Sequence, residues 1–272
     1  MPVRVVTDSS AGLPDDIVEQ LGITVVPMHV HDSSGADVTT AGLSTLELVA
    51  AYARQLERGG DEGVVAIHLS RELSSTYSAA VAAGAVFDSA VEVIDSQTVG
   101  MALGAAAMAA ATRAQRGASL EECAQSARDT LARSATWVYL HKIDDIRRSG
   151  RLSAGTAMLS AALLATRPIM QVTGGKLELA GKTRTQTKAF TKLVELVAER
   201  AQGEPAFVAI QHNQAPEAAE DLRELLEDLL AEGSSFLTVE LTEALSVHTG
   251  PGAVGVSAVF SAPGDNFVGR VN

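Results

Sequence analysis

The segment His248-Thr-Gly-Pro-Gly252, called the histidine turn below, combines groups that suit the recognition of an anionic headgroup. Its imidazole and its hydroxyl can donate hydrogen bonds. Two glycines beside a proline allow a tight turn whose backbone amides approach a ligand closely. Strand-like runs at 236–240 and 253–260 flank the turn, so the alternative interpretation is a hairpin loop with a solvated histidine.

The segment Ser70-Arg-Glu-Leu-Ser-Ser-Thr-Tyr77, called the serine turn, places four hydroxyls besides that of Tyr77 between a predicted strand and a predicted helix. The first amides of a helix and the positive end of its dipole attract anions. Ordinary capping of the helix needs only one hydroxyl. The surplus of hydroxyls favours a ligand-binding role over capping alone.

The elements around the serine turn alternate between strands and helices. The strands are short and almost entirely apolar, at 3–6, 23–28, 64–69 and 91–94. This pattern is typical of a parallel sheet with helices on both faces, whose ligands bind beyond the carboxyl ends of the strands. In this chain those ends carry Asp8, Ser9, Ser10, Ser70, Asp95 and Ser96.

Further expectations concern this half of the chain. A polar loop is predicted at 30–40, followed by a helix from Ser44 to Arg58. The alanine-rich stretch 98–112 is shorter than the ~18 residues needed to span a bilayer, so it predicts a buried helix. In the helix predicted from Ser44 to Arg58, the apolar residues expected to face inward are Leu46, Val49, Ala50 and Ala53.

After about residue 134 the pattern changes, and strands and helices follow in mixed order. Ser119-Leu-Glu-Glu122 is a capping box that opens the last helix before this change. Beyond it come a basic turn at 147–152, a small-residue helix at 156–166, strands at 136–141, 169–172, 177–179 and 206–212, and helices at 187–201 and 217–232. We therefore predict two α/β domains, residues 1–134 with a parallel sheet and residues 135–272 with a mixed sheet.

Composition narrows the class of protein. Of 272 residues, 46% are apolar and only 4% aromatic, which is ample for a core built largely from alanine and valine. The net charge of −12 argues against binding to nucleic acid or to anionic membranes. The single cysteine, Cys123, cannot form an internal disulfide and is predicted to be an inert core thiol. Because no targeting segment is visible, we expect a soluble, cytoplasmic protein.

Several enzyme motifs can be tested and are not met. Gly181-Lys-Thr183 lacks the earlier glycine of a phosphate-binding loop, because position 176 is a lysine. No dinucleotide fingerprint follows the first strand, and no Cys/His cluster has zinc spacing. His248 with Asp8 or Asp95 and one of the serines could form a hydrolytic triad, but no Gly-x-Ser-x-Gly elbow supports it. The sequence predicts neither a metal nor a cofactor.

These segments together resemble the DegV family, described as fatty-acid-binding subunits that serve a fatty acid kinase. The resemblance covers nearly the whole chain, and the order of its motifs and the closing one are specific. The motifs are Thr7–Pro14, Ile23–Pro27, Thr39-Thr40, Ser70–Tyr77, Val93–Ser96, Ser149–Leu152, Arg167–Met170, Lys182–Thr185 and His248–Val256.

The resemblance implies two α/β domains with one long-chain fatty acid buried between them. It further implies a role in phospholipid metabolism, in which a separate kinase makes the acyl phosphate. Carried over by motif, the residues that bind the fatty acid are Thr40, Ser70, Ser74, His248, Thr249 and Arg151, and Arg184 faces the kinase. The family pattern Thr-Thr-Ser-Gln-Pro is Thr39-Thr-Ala-Gly-Leu43 here, and Arg71 replaces a serine. Ala41 and Arg71 therefore bear on the pocket mouth and on ligand choice.

The apolar residues also fit a lipid site. Methionine and alanine leave adaptable space for a flexible acyl chain. The candidates are Met158, Leu159, Leu163, Leu164, Ile169 and Met170, with Met28, Met101 and Met108 in the other domain. The favoured reading is a non-catalytic carrier whose ligand is a fatty acid. The alternatives are a Ser/His hydrolase, a phosphotransferase-type enzyme, or a carrier of another apolar carboxylate.

Overall fold

The computed structural model describes residues 2–32, 38–60, 62–159 and 163–261. The chain divides into two compact units, Met1–Ala132 and Arg133–Asn272. We refer to them as the N-terminal unit and the C-terminal unit and describe each by itself.

The N-terminal unit is built on a parallel sheet, as predicted. Its strands are β1 (Arg4–Asp8), β2 (Thr24–Val26), β3 (His29–Asp32), β4 (Val38–Ala41), β5 (Val64–His68) and β6 (Val91–Asp95). Its helices are α1 (Asp15–Leu21), α2 (Thr45–Gly59), α3 (Thr76–Gly84), α4 (Met101–Gln115) and α5 (Leu120–Ala132). The parallel strands lie in the order β2-β1-β5-β6.

Helices cover both faces of this sheet because side chains alternate along each buried strand. Val64 and Ala66 of β5 pack in a core with Leu48 and Tyr52 of α2. Residues 65 and 67 point the other way, into a core with α4 and α5. The alanine-rich helix α4 is buried as predicted, and Ser119 and Glu122 form the predicted reciprocal cap of α5.

The C-terminal unit contains the predicted mixed sheet. Its strands are β7 (Ser134–Tyr139), β8 (Arg167–Thr173), β9 (Lys176–Thr183), β10 (Ala206–His212), β11 (Ser235–Glu240) and β12 (Val254–Phe260). Its helices are α6 (Asp144–Ser149), α7 (Ala154–Leu159), α8 (Gln186–Ala201), α9 (Pro216–Leu229) and α10 (Glu243–Thr249). The strand order is β11-β10-β12-β7-β8-β9, with β10 and β11 parallel and the other pairs antiparallel.

Several local predictions differ from the structure. The predicted polar loop at 30–40 contains parts of β3 and β4, which pair antiparallel, while residues 33–37 lie outside the described residues. The inward face of α2 is Leu48, Tyr52 and Leu56, one helical turn apart, and Leu46 is 80% exposed. The basic turn is largely helix α6, and the small-residue helix is α7, whose predicted continuation at 160–162 is likewise not described.

A further difference concerns the histidine turn, which was predicted to lie directly between two strands but follows a helix. Strands β11 and β12 are separated by β10, and helix α10 occupies the connection. His248 and Thr249 therefore form the end of a helix that lies against α6. Within the described residues, no helix has the length and apolar character to cross a membrane.

Candidate functional site

The carboxyl ends of β5 and β6 are tied together at one edge of the parallel sheet. The amide of Ser70 donates to the carbonyl of Thr98 at 3.0 Å, and the amide of Ser96 donates to the carbonyl of His68 at 3.0 Å. Ser70 is completely buried. The loops that follow these strands are thus fixed by backbone hydrogen bonds.

The serine turn holds its hydroxyls in local hydrogen bonds. The Oγ of Ser70 accepts from the amide of Glu72 at 3.2 Å, and the Oγ of Ser74 accepts from the amide of Thr76 at 3.2 Å. The Oγ of Ser74 also lies 3.0 Å from Oγ1 of Thr76. These bonds orient both hydroxyls within the serine turn.

The structure brings the strand that carries Thr40 against the serine turn. Just beyond β4, the amide of Leu43 donates to Oγ1 of Thr76 at 3.1 Å. A Cβ added at Gly42 would lie 2.8 Å from Oγ of Ser75 and 3.0 Å from Oγ of Ser74. Gly42, one of the departures from the family pattern, is therefore what allows this close approach.

Arg71, the other departure, anchors the serine turn to the end of β6. Its Nε lies 3.2 Å from Oδ2 of Asp95, and its amide lies 3.3 Å from Oδ1 of the same carboxylate. The Arg71 side chain is 58% exposed, whereas that of Asp95 is 9% exposed. Arg71 thus anchors the serine turn, and the carboxylate of Asp95 already has Arg71 as its partner.

Asp8, considered above as a triad member, is fully buried beneath the serine turn. Its carboxylate accepts from the amide and the hydroxyl of Ser10, from Nδ1 of His68 and from the amide of Leu69. Nε2 of His68 faces the hydroxyl of Tyr52 at 2.9 Å. This buried chain of groups was missed by sequence reasoning; its signal was a histidine as the last residue of an otherwise apolar strand.

His248 and Arg151 interact electrostatically in the C-terminal unit. Burial, and secondly the positive charge of Arg151, lower the pKa of His248 to about 4. Burial also lowers the pKa of the Arg151 guanidinium. At neutral pH the imidazole is therefore uncharged and can donate from one ring nitrogen. Residues 97 positions apart in sequence (248 minus 151) are thus brought close enough to interact electrostatically.

The backbone amides of the histidine turn are already used. The amide of Gly250 donates to the carbonyl of Ser246 at 3.0 Å, closing helix α10. The amide of Gly252 donates to the carbonyl of Asn213 at 2.8 Å, and Pro251 has no amide hydrogen. The expectation that bare amides of this turn face a ligand is therefore wrong, and recognition by the turn must come from side chains.

Two glycines let the histidine turn pack against the segment after β7. A Cβ on Gly250 would lie 2.0 Å from Oδ2 of Asp145, and one on Gly252 would lie 3.0 Å from Cβ of His141. Asn213, which is buried, adds a bond from Nδ2 to the carbonyl of Ser246 at 3.1 Å. Asn213 was also missed, because its partners lie more than thirty residues away in sequence.

The remaining predicted residues occupy different settings. The hydroxyl of Thr249 donates to the carbonyl of Leu245 at 3.1 Å, so it would have to leave that bond to serve a ligand. Arg184 is exposed between β9 and the start of α8. Gly181-Lys-Thr183 belongs to strand β9, whereas a phosphate-binding loop precedes a helix.

The predicted apolar set divides into two groups. Leu163, Ile169 and Met170 are buried, whereas Met158 is 86% exposed and Leu164 is 52% exposed. The expectation that all of them share one enclosed lipid slot is therefore wrong for Met158 and Leu164; the side chain of Leu159 lies outside the described residues. In the N-terminal unit Met101 is fully buried, and Met28 and Met108 pack against its core.

Metal and thiol chemistry find no support in the described part of the chain. It contains no cluster of three or more His, Cys, Asp or Glu side chains that could hold a metal ion. Cys123 is buried, and burial raises the pKa of its thiol, which makes the nucleophilic thiolate scarce.

Comparison with known proteins identifies relatives along almost the full chain. The family model described as "Uncharacterised protein, DegV family" matches residues 31–261. A DegV domain-containing protein of Corynebacterium glutamicum is 62% identical over 262 residues, covering 96% of this chain and 95% of the relative. A crystal structure of a DegV family protein from that organism superimposes with a TM-score of 0.94 at 61% identity and covers 96% and 99% of the two chains.

Two more distant structures carry a description of what they bind. One, described as showing the fatty acid binding of a DegV family protein from Thermus thermophilus, has a TM-score of 0.88 and 26% identity. The other is DegV from Bacillus subtilis, described as a fatty acid binding protein, with a TM-score of 0.83 and 28% identity. In both cases the alignment covers 96% of this chain and the whole of the other.

Proposed function

Because the chain belongs to the DegV family, we propose that it binds a long-chain fatty acid and holds the carboxylate with hydroxyl, imidazole and guanidinium donors. The observation that carries the proposal is the description of two structural relatives as fatty acid binding proteins, joined to donors present in this chain. Those donors are Thr40, Ser70 and Ser74 in the N-terminal unit and His248 and Arg151 in the C-terminal unit.

The chemistry of a carboxylate suits both groups of donors. Its two oxygens accept several hydrogen bonds, and leaving it unpaired in a partly buried site costs several kcal/mol. The hydroxyls supply neutral donors on a rigid sheet edge. Arg151 supplies the positive charge that an ionised headgroup needs within a protein of net charge −12.

Most of the affinity would come from the acyl chain. Burying a chain of ~16 carbons at ~0.8 kcal/mol per methylene gives a gross gain of about 12 kcal/mol. Ordering of the chain and the loss of translational freedom remove part of this gain. The headgroup donors therefore set the register of the acid more than they set the strength of binding.

We further propose that the protein is a non-catalytic, cytoplasmic carrier that presents the carboxylate to a separate kinase. The chain has no nucleotide-binding motif, so phosphoryl transfer would have to come from a partner. The exposed position of Arg184 is compatible with contact to such a partner. The product would be an acyl phosphate, which is a precursor suited to lipid synthesis.

Mass spectrometry of an organic extract of the purified protein tests the proposal directly. We expect about one long-chain acid per chain, and a rise in melting temperature when acid is added to delipidated protein, since a ligand that binds only the folded state stabilises it. Empty protein that gains no stability from any fatty acid would rule out the carrier function. A different apolar carboxylate in the extract would keep the site and change the ligand.

Activity measurements separate the carrier from an enzyme. The loaded protein with ATP alone should yield no acyl phosphate, and a cognate kinase should restore the reaction. Para-nitrophenyl esters should not turn over. Steady ester hydrolysis that a single serine substitution abolishes would establish a hydrolase instead.

A further inference from the structure

Three polar side chains form a continuous buried chain under the serine turn. Asp8 at the end of β1, His68 at the end of β5 and Tyr52 in α2 are each completely inaccessible to solvent. Nδ1 of His68 lies 2.9 Å from Oδ2 of Asp8, and Nε2 lies 2.9 Å from the Tyr52 hydroxyl. We call these residues the buried relay.

Asp8 and Tyr52 lie at the two ends of the buried relay. The carboxylate of Asp8 accepts from the amides of Ser10 and Leu69 and from the hydroxyl of Ser10, and it faces Nδ1 of His68. Burial, and then the charge of Asp8, raise the pKa of Tyr52. Tyr52 therefore keeps its proton, and its hydroxyl lies within hydrogen-bond distance of Nε2 of His68.

The relay fixes the backbone directly before Ser70. The Asp8 carboxylate accepts from the amide of Leu69 at 3.1 Å, and the carbonyl of His68 accepts from the amide of Ser96. The main chain on the N-terminal side of Ser70 is thus held both by β6's loop and by a side chain from β1. A shift of His68 would change where the Ser70 hydroxyl points.

A purely structural need does not explain this choice of residues. Full burial of an ionised carboxylate carries a large desolvation penalty, and apolar residues of similar volume often stabilise a core as well or better. Tyr52 packs in a core with apolar side chains, among them Leu48, Val6 and Ala66. Such groups are valuable where a fixed geometry matters, because satisfied polar networks specify a single arrangement.

We propose that Asp8, His68 and Tyr52 are positioning residues that hold the Ser70 hydroxyl in the orientation needed to bind a carboxylate, an inference that rests on the proposed function. The hydrogen bonds of all three side chains described above go to protein groups. Their effect on binding passes through the backbone of Leu69 and Ser70.

Selectivity between two ligands with the same acyl chain tests the inference. Palmitate and 1-hexadecanol share sixteen carbons, and only the acid presents a carboxylate to Ser70. The unmodified protein should prefer palmitate. Tyr52→Phe removes a single oxygen and should lower this preference about three- to tenfold, mainly through weaker palmitate binding. A merely structural role would weaken binding of both ligands by the same factor.

Tyr139→Phe is the matched control. Tyr139 is equally inaccessible, lies in the C-terminal unit and contacts Gln186 rather than the relay, so the variant should keep the full preference for palmitate. His68→Asn retains an amide donor toward Asp8 and should keep more of the preference than His68→Leu. This rescue provides a second measurement should Tyr52→Phe alter stability.

The outcomes separate the inference from the proposed function. If the unmodified protein binds neither ligand, the proposed function fails and the inference falls with it. If it prefers palmitate and both Tyr52→Phe and His68→Leu keep that preference, only the inference is overturned. A reduced preference in both, with Tyr139→Phe unchanged, supports the inference.

Discussion

The edge of the parallel sheet that carries Ser70 and Ser74 is called the hydroxyl-bearing edge. Its hydrogen-bond donors differ in kind from those of the histidine turn in the C-terminal unit. The hydroxyl-bearing edge supplies uncharged donors at the carboxyl ends of parallel strands, and hydrogen bonds tie it to fully buried groups. The second region pairs an imidazole in the short helix α10 with a guanidinium just after α6, and glycines allow its close packing. The first region is held in place by hydrogen bonds to buried groups, whereas the second carries a charged group that lowers the pKa of its histidine.

The largest effect is expected from Gly250→Ala, which attacks the packing of the histidine turn. Gly250 has φ +71°, and its Cβ would lie 2.0 Å from Asp145. Backbone strain and overpacking together should lower the free energy of unfolding by roughly 2–4 kcal/mol. Urea denaturation measures this change. Gly155→Ala, with nothing within 4 Å, is the control and should not destabilise; equal stability of both variants would contradict the packing described.

Ser70→Ala should weaken ligand binding by the hydroxyl-bearing edge without disturbing the C-terminal unit. Loss of one donor to a bound carboxylate should reduce palmitate affinity about tenfold, or about 1.4 kcal/mol. Titration calorimetry gives the ratio. Ser75 is exposed in the same turn, so Ser75→Ala should change affinity little. If the two substitutions have the same effect, Ser70 is not a specific donor to the headgroup.

His248→Gln should make the stability of the protein less sensitive to acid. The unfolded chain has the ordinary imidazole pKa of 6.5, and the folded chain has about 4. Between these values the unfolded state binds more protons, so the contribution of neutral His248 is present above pH 6.5 and is lost as the pH falls toward 4. Melting temperatures from pH 7 to pH 4 should fall less steeply for the variant; parallel curves would show that His248 does not titrate this way.

The smallest effect is expected from Arg151→Met. Burial is the main cause of the lowered pKa of His248 and the charge of Arg151 the lesser one. Removing that charge should therefore raise the pKa of His248 but leave it below 6.5, as followed by NMR titration of the imidazole. Arg147, which pairs with Asp144, provides the control, since Arg147→Met should leave this pKa unchanged. A return to 6.5 in Arg151→Met would mean that charge, not burial, dominates.

The parallel sheet and its polar edge could be predicted because the signals are local. Apolar runs such as Val64–Leu69 end in a hydroxyl or a carboxylate, and parallel strands must gather those ends at one edge. The mixed order of strands and helices after residue 134 could be read from the sequence in the same way.

The error at the histidine turn has a physical cause. Helix α10 has seven residues, with valine, histidine and threonine near its end, too short to be stable alone. It forms because it lies against α6, far away in sequence. The acceptors that occupy the amides of Gly250 and Gly252 are likewise set by tertiary structure. Similarly, β3 and β4 have little apolar alternation, and their pairing with each other rather than their composition makes them strands.

The burial of the one cysteine makes the protein convenient for site-specific labelling. Cys123 is shielded from solvent, and the raised pKa of its thiol keeps it in the unreactive protonated form at neutral pH. A maleimide dye or a spin label should therefore react with a new cysteine placed at an exposed residue, such as Met158 or Ser75, while the native thiol can be left in place. Probes in either unit could then report on ligand loading in an otherwise unaltered chain.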